Sequence, residues 1–380
     1  MMKRRWGSIY RLSAVFLLAC GASQKPCPEV GQAEPPTAAQ ERPAVSEETA
    51  RPAPTLEQWR DGDAKRRIVE FVEATTKPNG PHFVSPGDRV AVFDNDGTLW
   101  SEQPIYFQFA FALDYVASQL SASPAPSWAS RPWATQLKKG LTKDGKKALP
   151  QLDEKALFEI ISASETQTAE DYRTSVHAWL ERARHPRLER PYTELVFQPM
   201  VALLEYLRAH DYKTFIVTGG SAWFVRAFAE KLYGIPPEQV VGTLSEAHYE
   251  LKDGRGILSG SGKLAFLDDG AGKPVGIDRV IGRMPIFAAG NSDGDREMLE
   301  YVTTQKGPST FALLVHHDDP DREWAYDRAS KIGKLDKALD QATTSNWLVV
   351  SMKRDFESIY APGVAAPAPP AHAAAPSTGP

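Results

Sequence analysis

The stretch FDNDGTLW, residues 93–100, places two acidic residues directly after a short apolar run that begins at Arg89. Residues i and i+2 at a strand end point to the same side, so Asp94 and Asp96 are predicted to face one pocket. Two neighbouring carboxylates repel each other unless a cation or a proton relieves the conflict. Because Mg²⁺ binds oxygen ligands and keeps part of its water shell, the stretch predicts a divalent-metal site at the end of a buried strand.

Strand-like apolar runs alternate with helix-like patterns along the chain. The strand-like runs end in polar or glycine-rich residues and cover 89–93, 213–217, 285–289 and 311–315, with a further strand at 240–244 and a hairpin turn at 252–254. The helix-like patterns cover 105–122, 153–163, 166–184, 200–210 and 222–233. This alternation predicts an α/β fold with a doubly wound, mostly parallel sheet. Ligands bind such sheets outside the carboxyl ends of the strands, so the polar clusters are expected to meet there.

Amino-acid composition divides the chain into a folded unit and two flanking segments that are rich in proline or in alanine and proline. Residues 21–54 hold seven prolines and no Leu, Ile, Phe, Tyr or Trp, and residues 361–380 are mostly alanine and proline without charged side chains. Such segments bury too little apolar surface to offset the entropy of ordering, so both are predicted to be disordered. The folded unit is then 55–360. Within it, 101–190 is too long for a simple connection and is predicted to form a small helical cap.

The first twenty residues have the pattern of a bacterial signal peptide. A basic start is followed by an apolar run that ends in Leu-Leu-Ala-Cys at Cys20, which resembles a lipobox. The pattern predicts a lipid on Cys20, with 21–54 as a tether to the membrane and a periplasmic location, the outer membrane being slightly favoured by Gly21. The alternative is an ordinary signal peptide with a chance cysteine. If Cys20 carries a lipid, Cys27 has no partner within the chain, so no disulfide is expected.

The net charge of the chain argues against nucleic acid as a general partner. The formal net charge is −4 at pH 7, without the basic excess of a general nucleic-acid binder. A local basic patch lies in the predicted cap, and it is either a solvated face or a surface that steers an anionic substrate. Its members are Lys138, Lys139, Lys143, Lys146 and Lys147.

Four segments of the chain resemble the motifs of the haloacid dehalogenase-like hydrolase superfamily, in its phosphoserine-phosphatase-like branch. Residues 94–99 are similar to the first motif, D-x-D-G-T-[LV], and Thr218 ends a strand as the second motif requires. Lys273 resembles the lysine of the third motif, and GNSDGDREML, residues 290–299, resembles the fourth. The motifs occur in the family's order, with a cap in the family's place.

The resemblance implies a Mg²⁺-dependent phosphomonoester hydrolase that acts on a small phosphorylated substrate. Asp94 would be the nucleophile that forms an aspartyl-phosphate. Asp96 would protonate the leaving oxygen and later deprotonate the attacking water. Thr218, the amide of Gly219 and Lys273 would hold the phosphate, and Gly220 also allows close approach of an anion. Asp94 and the backbone carbonyl of Asp96 would bind the metal.

The fourth motif departs from the family pattern at its first acid, which is Asn291 here. An amide oxygen can bind Mg²⁺ but brings no charge. The metal ligand is therefore Asn291 or Asp295, or less favourably Asp293, and the ligand set stays open at this point.

Other interpretations remain beside this one. The stretch around Asp94 could be a simple turn, because Asp, Asn and Gly dominate turns. Within the superfamily the alternative is a dehalogenase or a phosphonate hydrolase, although Asp96 argues against dehalogenases because they need no leaving-group acid. From another class, the chain could be a non-catalytic binding lipoprotein, with Asn291 as the supporting feature. GSGKL at 260–264 lacks the first glycine and the final Ser/Thr of a phosphate loop and is rejected.

Overall fold

A mostly parallel sheet forms the centre of the computed structural model, which describes residues 55–140, 154–307 and 309–363. In the described part the strand order is β4-β3-β2-β1-β5-β6-β7, and β8 pairs with β6. The pairs β2–β1, β1–β5, β2–β3, β5–β6 and β6–β8 are parallel, whereas β4 and β7 pair antiparallel. The strands are β1 (Val90–Phe93), β2 (Lys213–Ser221), β3 (Val240–Lys252), β4 (Arg255–Phe266), β5 (Phe287–Gly290), β6 (Phe311–Asp318), β7 (Ala325–Tyr326) and β8 (Leu348–Ser351).

Helices fill the connections between the strands, as the alternating pattern predicts, so the expected α/β fold class is confirmed. The described helices are α1 (Asp63–Thr76), α2 (Phe107–Gln119), α3 (Pro132–Gly140), α4 (Glu154–Ser164), α5 (Ala169–Arg182), α6 (Gln198–Ala209), α7 (Ala222–Arg226), α8 (Ala229–Tyr233), α9 (Gly272–Val280), α10 (Arg296–Thr303), α11 (Lys337–Ser345) and α12 (Met352–Asp355).

Several predicted features lie outside the described residues. These are the signal peptide with Cys20, the tether at 21–54, the greater part of the tail at 361–380, and Lys143, Lys146 and Lys147 of the basic patch. In the described part, no helix is both long enough and apolar enough to cross a membrane.

Strand β1 is buried on both faces, which explains its unbroken apolar sequence. Ala91 and Phe93 belong to a large hydrophobic cluster on one face of the sheet, whereas Val90 and Val92 belong to a second cluster on the other. This alternation follows from the two-residue period of a strand. With its neighbours β2 and β5 on either side, β1 is held at the centre of the sheet, and the residue after Phe93 emerges at the carboxyl edge.

Helices α2 to α5 all lie between β1 and β2 in the chain and include their own apolar cluster. That cluster joins Phe109, Leu113 and Val116 of α2 to Trp133 of α3 and Ile160 of α4. Other faces of α2 and α5 pack against the main core instead, through side chains such as Phe111 and Trp179. The inserted helical segment therefore has a core of its own but is anchored on the sheet.

The predicted elements differ from the observed ones mainly in extent. The hairpin turn predicted at 252–254 lies between β3 and β4, and the rejected phosphate loop at 260–264 is part of β4. The helix predicted over 222–233 consists of α7 and α8, interrupted at Ala227–Phe228. Phe228 stacks on Trp100 with ring centroids 4.5 Å apart, so a tertiary contact accompanies this break.

Candidate active site

Asp94 is the first residue after β1 and lies at the carboxyl edge of the sheet. Its backbone N–H donates to the carbonyl of Ala289 at 2.9 Å, which continues the β1–β5 ladder by one residue. The side chain is 6% exposed, and Lys273 Nζ donates to its Oδ1 at 2.6 Å. Burial raises the pKa of Asp94, and the carboxylate of Asp295 adds to this effect, whereas the ammonium of Lys273 opposes it. Asp94 is thus a buried carboxylate whose charge depends on neighbouring cations.

A tight turn after Asp94 returns the chain to the site. Gly97 has φ of +75°, a conformation that suits glycine, and its N–H donates to the carbonyl of Trp100 at 2.8 Å. Within this turn the indole of Trp100 donates to Asp96 Oδ1 at 2.8 Å. Burial raises the pKa of the partly buried Asp96 to about 6, although the Trp100 hydrogen bond opposes the shift. Asp96 is therefore placed two residues from Asp94 with a pKa near neutrality, as acid–base catalysis requires.

Strand β2 becomes irregular where it reaches the site. Thr218 pairs with Gly242, but the next pairing joins Ser221 to Thr243, so Gly219 and Gly220 are left over on β2. Thr218 is 1% exposed, and its Oγ1 accepts from the Gly220 N–H at 3.0 Å. This bulge presents the backbone of two small residues at the carboxyl edge. An anion can approach the N–H of Gly219 closely there, whereas the N–H of Gly220 already donates to Thr218.

Lys273 contacts the acidic side chains of the first and fourth motifs. It is 1% exposed, lies in the first turn of α9, and donates to Asp94 Oδ1 at 2.6 Å, to Asp295 Oδ1 at 2.5 Å and to the Val217 carbonyl at 3.0 Å. Burial on its own lowers the pKa of Lys273, but the carboxylates of Asp295 and Asp94 raise it above its ordinary value. Lys273 therefore carries a positive charge between two acids from distant parts of the chain.

The fourth motif supplies two side chains with different tasks. Asp295 Oδ1 accepts from Lys273, while its Oδ2 accepts from the backbone N–H groups of Asn291 and Ser292 at 2.9 and 3.0 Å. Asn291 is 1% exposed, and its Nδ2 donates to Glu102. Asp293 is directed elsewhere, since its Oδ1 accepts from backbone N–H groups near the start of α11. Asp295 thus orients Lys273 and the loop, which favours Asn291 as a direct metal ligand.

The donors that converge here fit a magnesium ion. The hydroxyl of Thr98 lies 3.3 Å from Asp94 Oδ2 and 3.2 Å from Asn291 Oδ1, so these two oxygens face the same place. Within the described residues there is no group of three or more His, Cys, Asp or Glu side chains arranged to hold a metal. A carboxylate and an amide oxygen are not a group of that kind, but oxygen donors of this mixture suit Mg²⁺. The family resemblance adds the backbone carbonyl of Asp96 as a further ligand. The buried acids also outnumber Lys273, which favours a further cation.

Two acidic residues near the site were not predicted from the sequence as functional. Glu102 is 1% exposed and accepts from Asn291 and from the hydroxyl of Tyr326. Glu165, at the end of the cap helix α4, accepts from the hydroxyl of Ser245 and has one buried oxygen without a hydrogen-bond partner in the described part. For Glu102 the sequence gives only a weak signal, since it lies one residue before the place where phosphoserine phosphatases carry a substrate-binding glutamate, and no role was assigned to it. For Glu165 it gives no signal, because the partner of this residue comes from a segment far away in the chain.

His316 and His317 lie near the end of β6, close to the carboxyl edge of the sheet. His317 is buried, with Nε2 2.8 Å from the carbonyl of Gly97 and Nδ1 3.1 Å from Glu323. Glu323 also accepts from the hydroxyl of Ser101 at 2.6 Å. His317 therefore supports the turn that carries Asp96. His316 lies 3.6 Å from Asp327 on a more exposed surface.

The model of the haloacid dehalogenase-like hydrolase family matches residues 91–300, which is more than half of the 380-residue chain. This chain belongs to the haloacid dehalogenase-like hydrolase family. The match begins within β1 and ends within α10, so it spans all of the segments that resemble the family motifs. The expectation that the chain is an enzyme of this family is thereby confirmed.

Solved structures that are similar to this hydrolase have low sequence identity to it. A conserved functionally unknown protein from Anaerococcus prevotii is 17% identical, covers 67% of this chain and 86% of its own, and has a TM-score of 0.42. A phosphoserine phosphohydrolase-like protein from Francisella tularensis is 14% identical, covers 70% and 95%, and has a TM-score of 0.35. A substrate-bound phosphoserine phosphatase is 15% identical, covers 60% and 86%, and has a TM-score of 0.30. No curated protein matches the sequence significantly.

Proposed function

We propose that this hydrolase is a Mg²⁺-dependent phosphomonoesterase that acts through an aspartyl-phosphate on Asp94. The observation that carries the proposal is the buried contact of 2.6 Å between Asp94 and Lys273 at the carboxyl edge of the sheet. A buried carboxylate held by a cation, with a second carboxylate two residues away, provides a nucleophile and a separate acid–base group.

The residues around Asp94 support in-line transfer of a phosphoryl group. Asp94 would attack phosphorus and form the P–O bond, while the bond to the leaving oxygen breaks and Asp96 gives that oxygen its proton. Asp96 would then take a proton from the water that hydrolyses the aspartyl-phosphate. Thr218, the N–H of Gly219 in the β2 bulge and Lys273 would bind the phosphoryl oxygens.

A bound Mg²⁺ would offset the negative charges of the phosphate and of Asp94. The residues that would hold it are Asp94, Asn291 and the carbonyl of Asp96, whereas Asp295 would act through Lys273. The distances from the Thr98 hydroxyl to the oxygens of Asp94 and Asn291 support this assignment.

The location of the enzyme is a further part of the proposal. A lipid on Cys20 and a tether over 21–54 would place the hydrolase domain on the periplasmic side of a bacterial membrane. The sequence pattern of the first twenty residues supports this location.

Hydrolysis of p-nitrophenyl phosphate, measured with and without EDTA, tests the proposed chemistry. We expect activity that EDTA abolishes and that added Mg²⁺ restores, because the single charge of Lys273 is too small to offset both the phosphate and the buried acids. Full activity after rigorous removal of metal would overturn the metal assignment. If no phosphomonoester in a broad panel is hydrolysed by metal-loaded protein, the chain is not a phosphatase.

A further inference from the structure

Glu102 is a buried acid with two hydrogen-bond donors on a single oxygen. Its Oε1 accepts from the Tyr326 hydroxyl at 2.7 Å and from Asn291 Nδ2 at 2.8 Å. Asn291 is the residue at which this chain departs from the family pattern. The contact thus places the carboxylate of Glu102 against Asn291, which stands where the family motif has an aspartate.

Two glycines with positive φ, Gly97 and Gly333, lie against the Glu102 side chain and leave space for its contact with Asn291. A Cβ on Gly97 would lie 2.4 Å from Glu102 Oε1 and 2.0 Å from Asn291 Nδ2, and a Cβ on Gly333 would lie 1.8 Å from the same Glu102 oxygen. Real Cβ atoms do not approach other atoms so closely. Side chains at either position would therefore displace Glu102, which means that the surrounding backbone is adapted to it.

The direction of the hydrogen bond fixes the orientation of the Asn291 amide. Oε1 of Glu102 accepts from both Tyr326 and Asn291, so the Asn291 atom that faces Glu102 is the NH₂ group. The amide oxygen then faces the opposite way, where Thr98 Oγ1 lies 3.2 Å from it and also contacts Asp94. Without an acceptor at position 102, the two orientations of the amide would be closer in energy.

We propose that Glu102 is a positioning residue that takes over the negative charge missing at position 291 and aims the Asn291 oxygen at the metal site. This inference rests on the metal site of the proposed function. Glu102 and Asn291 then act as a pair, in which one contributes the charge and the other the ligand atom. Outer-shell partners of this kind typically change metal affinity by about 10–100-fold when they are removed.

The pair predicts an unusual response to restoring the family residue. An acid at position 291 would lie 2.8 Å from Glu102 Oε1 in a buried place, so the pair would hold either two like charges or a shared proton that competes with the metal. Like charges so close are strongly unfavourable. Asn291→Asp should therefore impair this protein, and Glu102→Gln should relieve the impairment, because the new amide can donate to the new carboxylate.

The test is a double-mutant cycle with Glu102→Gln, Asn291→Asp and the combination of both. Two quantities are measured for full-length protein: the melting temperature in EDTA, and the Mg²⁺ dissociation constant by calorimetry. We expect Glu102→Gln to weaken Mg²⁺ binding by about 10–100-fold. We expect Asn291→Asp to lower the metal-free melting temperature by several degrees, and the combination to recover the wild-type melting temperature and Mg²⁺ affinity to within about threefold.

Additive effects of the two changes, in either quantity, would overturn the proposal. Tyr326→Phe is the conservative partner variant, since it removes one donor to Glu102 Oε1 and keeps the ring, and it should weaken Mg²⁺ binding less than Glu102→Gln does. A stronger effect of Tyr326→Phe would also contradict the assigned role. If wild-type protein binds no Mg²⁺, the proposed metal site fails, while the melting temperatures in EDTA still decide whether the two residues are coupled.

Discussion

At the scale of single residues, Asp94 and Asp96 have different surroundings. Asp94 is paired with Lys273, whereas Asp96 is partly buried and accepts from the indole of Trp100. A carboxylate held by a permanent cation suits nucleophilic attack, and a carboxyl group with a pKa of about 6 suits proton transfer. The repulsion between the two acids is thus resolved by assigning them separate partners.

Substitution of each acid should therefore give a different kinetic defect. Asp94→Asn removes the proposed nucleophile, so we expect almost no turnover and no phosphorylated enzyme. Asp96→Asn keeps the nucleophile but lacks acid–base help, which costs about 10²–10⁴-fold. The loss should be smaller with p-nitrophenyl phosphate than with alkyl phosphates, because nitrophenolate leaves without protonation.

Acid-quench labelling and peptide mapping measure these outcomes. Asp96→Asn should accumulate more phosphorylated enzyme than the wild type, because the hydrolysis of the intermediate lacks its base. The label should map to Asp94. A label on Asp96 or on His316, or its absence under single-turnover conditions, would contradict the assignment.

Asp268 is a residue whose burial predicts a pH-dependent cost to stability. It is fully buried, and neither side-chain oxygen has a hydrogen-bond partner in the described part. Burial raises its pKa from 3.8 to about 7, although Lys273 opposes the shift. Since the folded protein holds this proton more tightly than the unfolded chain, the stability it contributes is complete below about pH 4 and is lost as the pH rises through about 7.

Asp268→Asn should remove this loss, because the amide stays neutral at every pH. We expect the variant to gain melting temperature over the wild type at pH 8 and to differ little at pH 5. Asp278→Asn, at an exposed position of α9, is the matched control and should show no such pH dependence. An equal difference between variant and wild type at both pH values would argue against a buried, titrating Asp268.

At the scale of secondary-structure elements, the helical insertion is connected to the β3–β4 hairpin as well as to the core. The N–H of Gly260 in β4 donates to the carbonyl of Gln167 at 3.0 Å, and Thr168 bridges to Ser259. The hydroxyl of Ser245 in β3 contacts Glu165. These contacts hold a cap carboxylate beside Ser221, whose hydroxyl lowers the pKa of Glu165 against the larger effect of burial.

The position of Glu165 predicts an effect on substrate choice. It lies beside Ser221 at the end of β2, next to the proposed phosphate site. Glu165→Gln should raise KM for phosphomonoesters with an amino group on the leaving alcohol, such as phosphoethanolamine. KM for glycerol phosphate should change little, because its leaving alcohol carries no charge. Glu170→Gln, at an exposed position of α5, is the control, and equal changes for both substrates would count against a role in recognition.

The sequence predicted elements best where local pattern and burial agree. β1 ends at Phe93 as expected, because a doubly buried strand must be apolar and the acids that follow cannot be. β3 extends to Lys252, eight residues beyond the prediction, because the outer part of the hairpin is exposed and lacks an apolar pattern. Backbone pairing with β4 stabilises that part instead.

The site was predictable only in part, for a related reason. Asp94, Asp96, Thr218, Lys273 and Asn291 are found together at one edge, as expected from strand ends in a parallel sheet. The different contacts of Asn291 and Asp295 in the fourth motif are made with residues distant in the chain, so the local sequence pattern does not predict them. Glu102 and Asn291 are 189 residues apart in the chain, and their pairing is visible only in three dimensions.

At the scale of the whole molecule, the proposed enzyme places a hydrolase domain at the end of a long, proline-rich segment. The described domain begins at residue 55, and the 34 residues of 21–54 separate it from Cys20. Such a tether would let the enzyme meet small phosphorylated substrates in the surrounding solution.

Cys20→Ser tests whether a lipid provides the anchor. Because the lipid would be attached to the thiol, the variant should leave the membrane fraction or keep its signal peptide, while activity toward p-nitrophenyl phosphate per folded molecule stays unchanged. Cys27→Ser is the matched control, since it removes the other cysteine and should remain in the membrane fraction. Cell fractionation, with mass spectrometry of the N-terminal peptide, measures both outcomes. An unmodified mature protein that starts at a residue other than Cys20 would show instead that the leader is an ordinary signal peptide, and the hydrolase would then act as a released periplasmic enzyme.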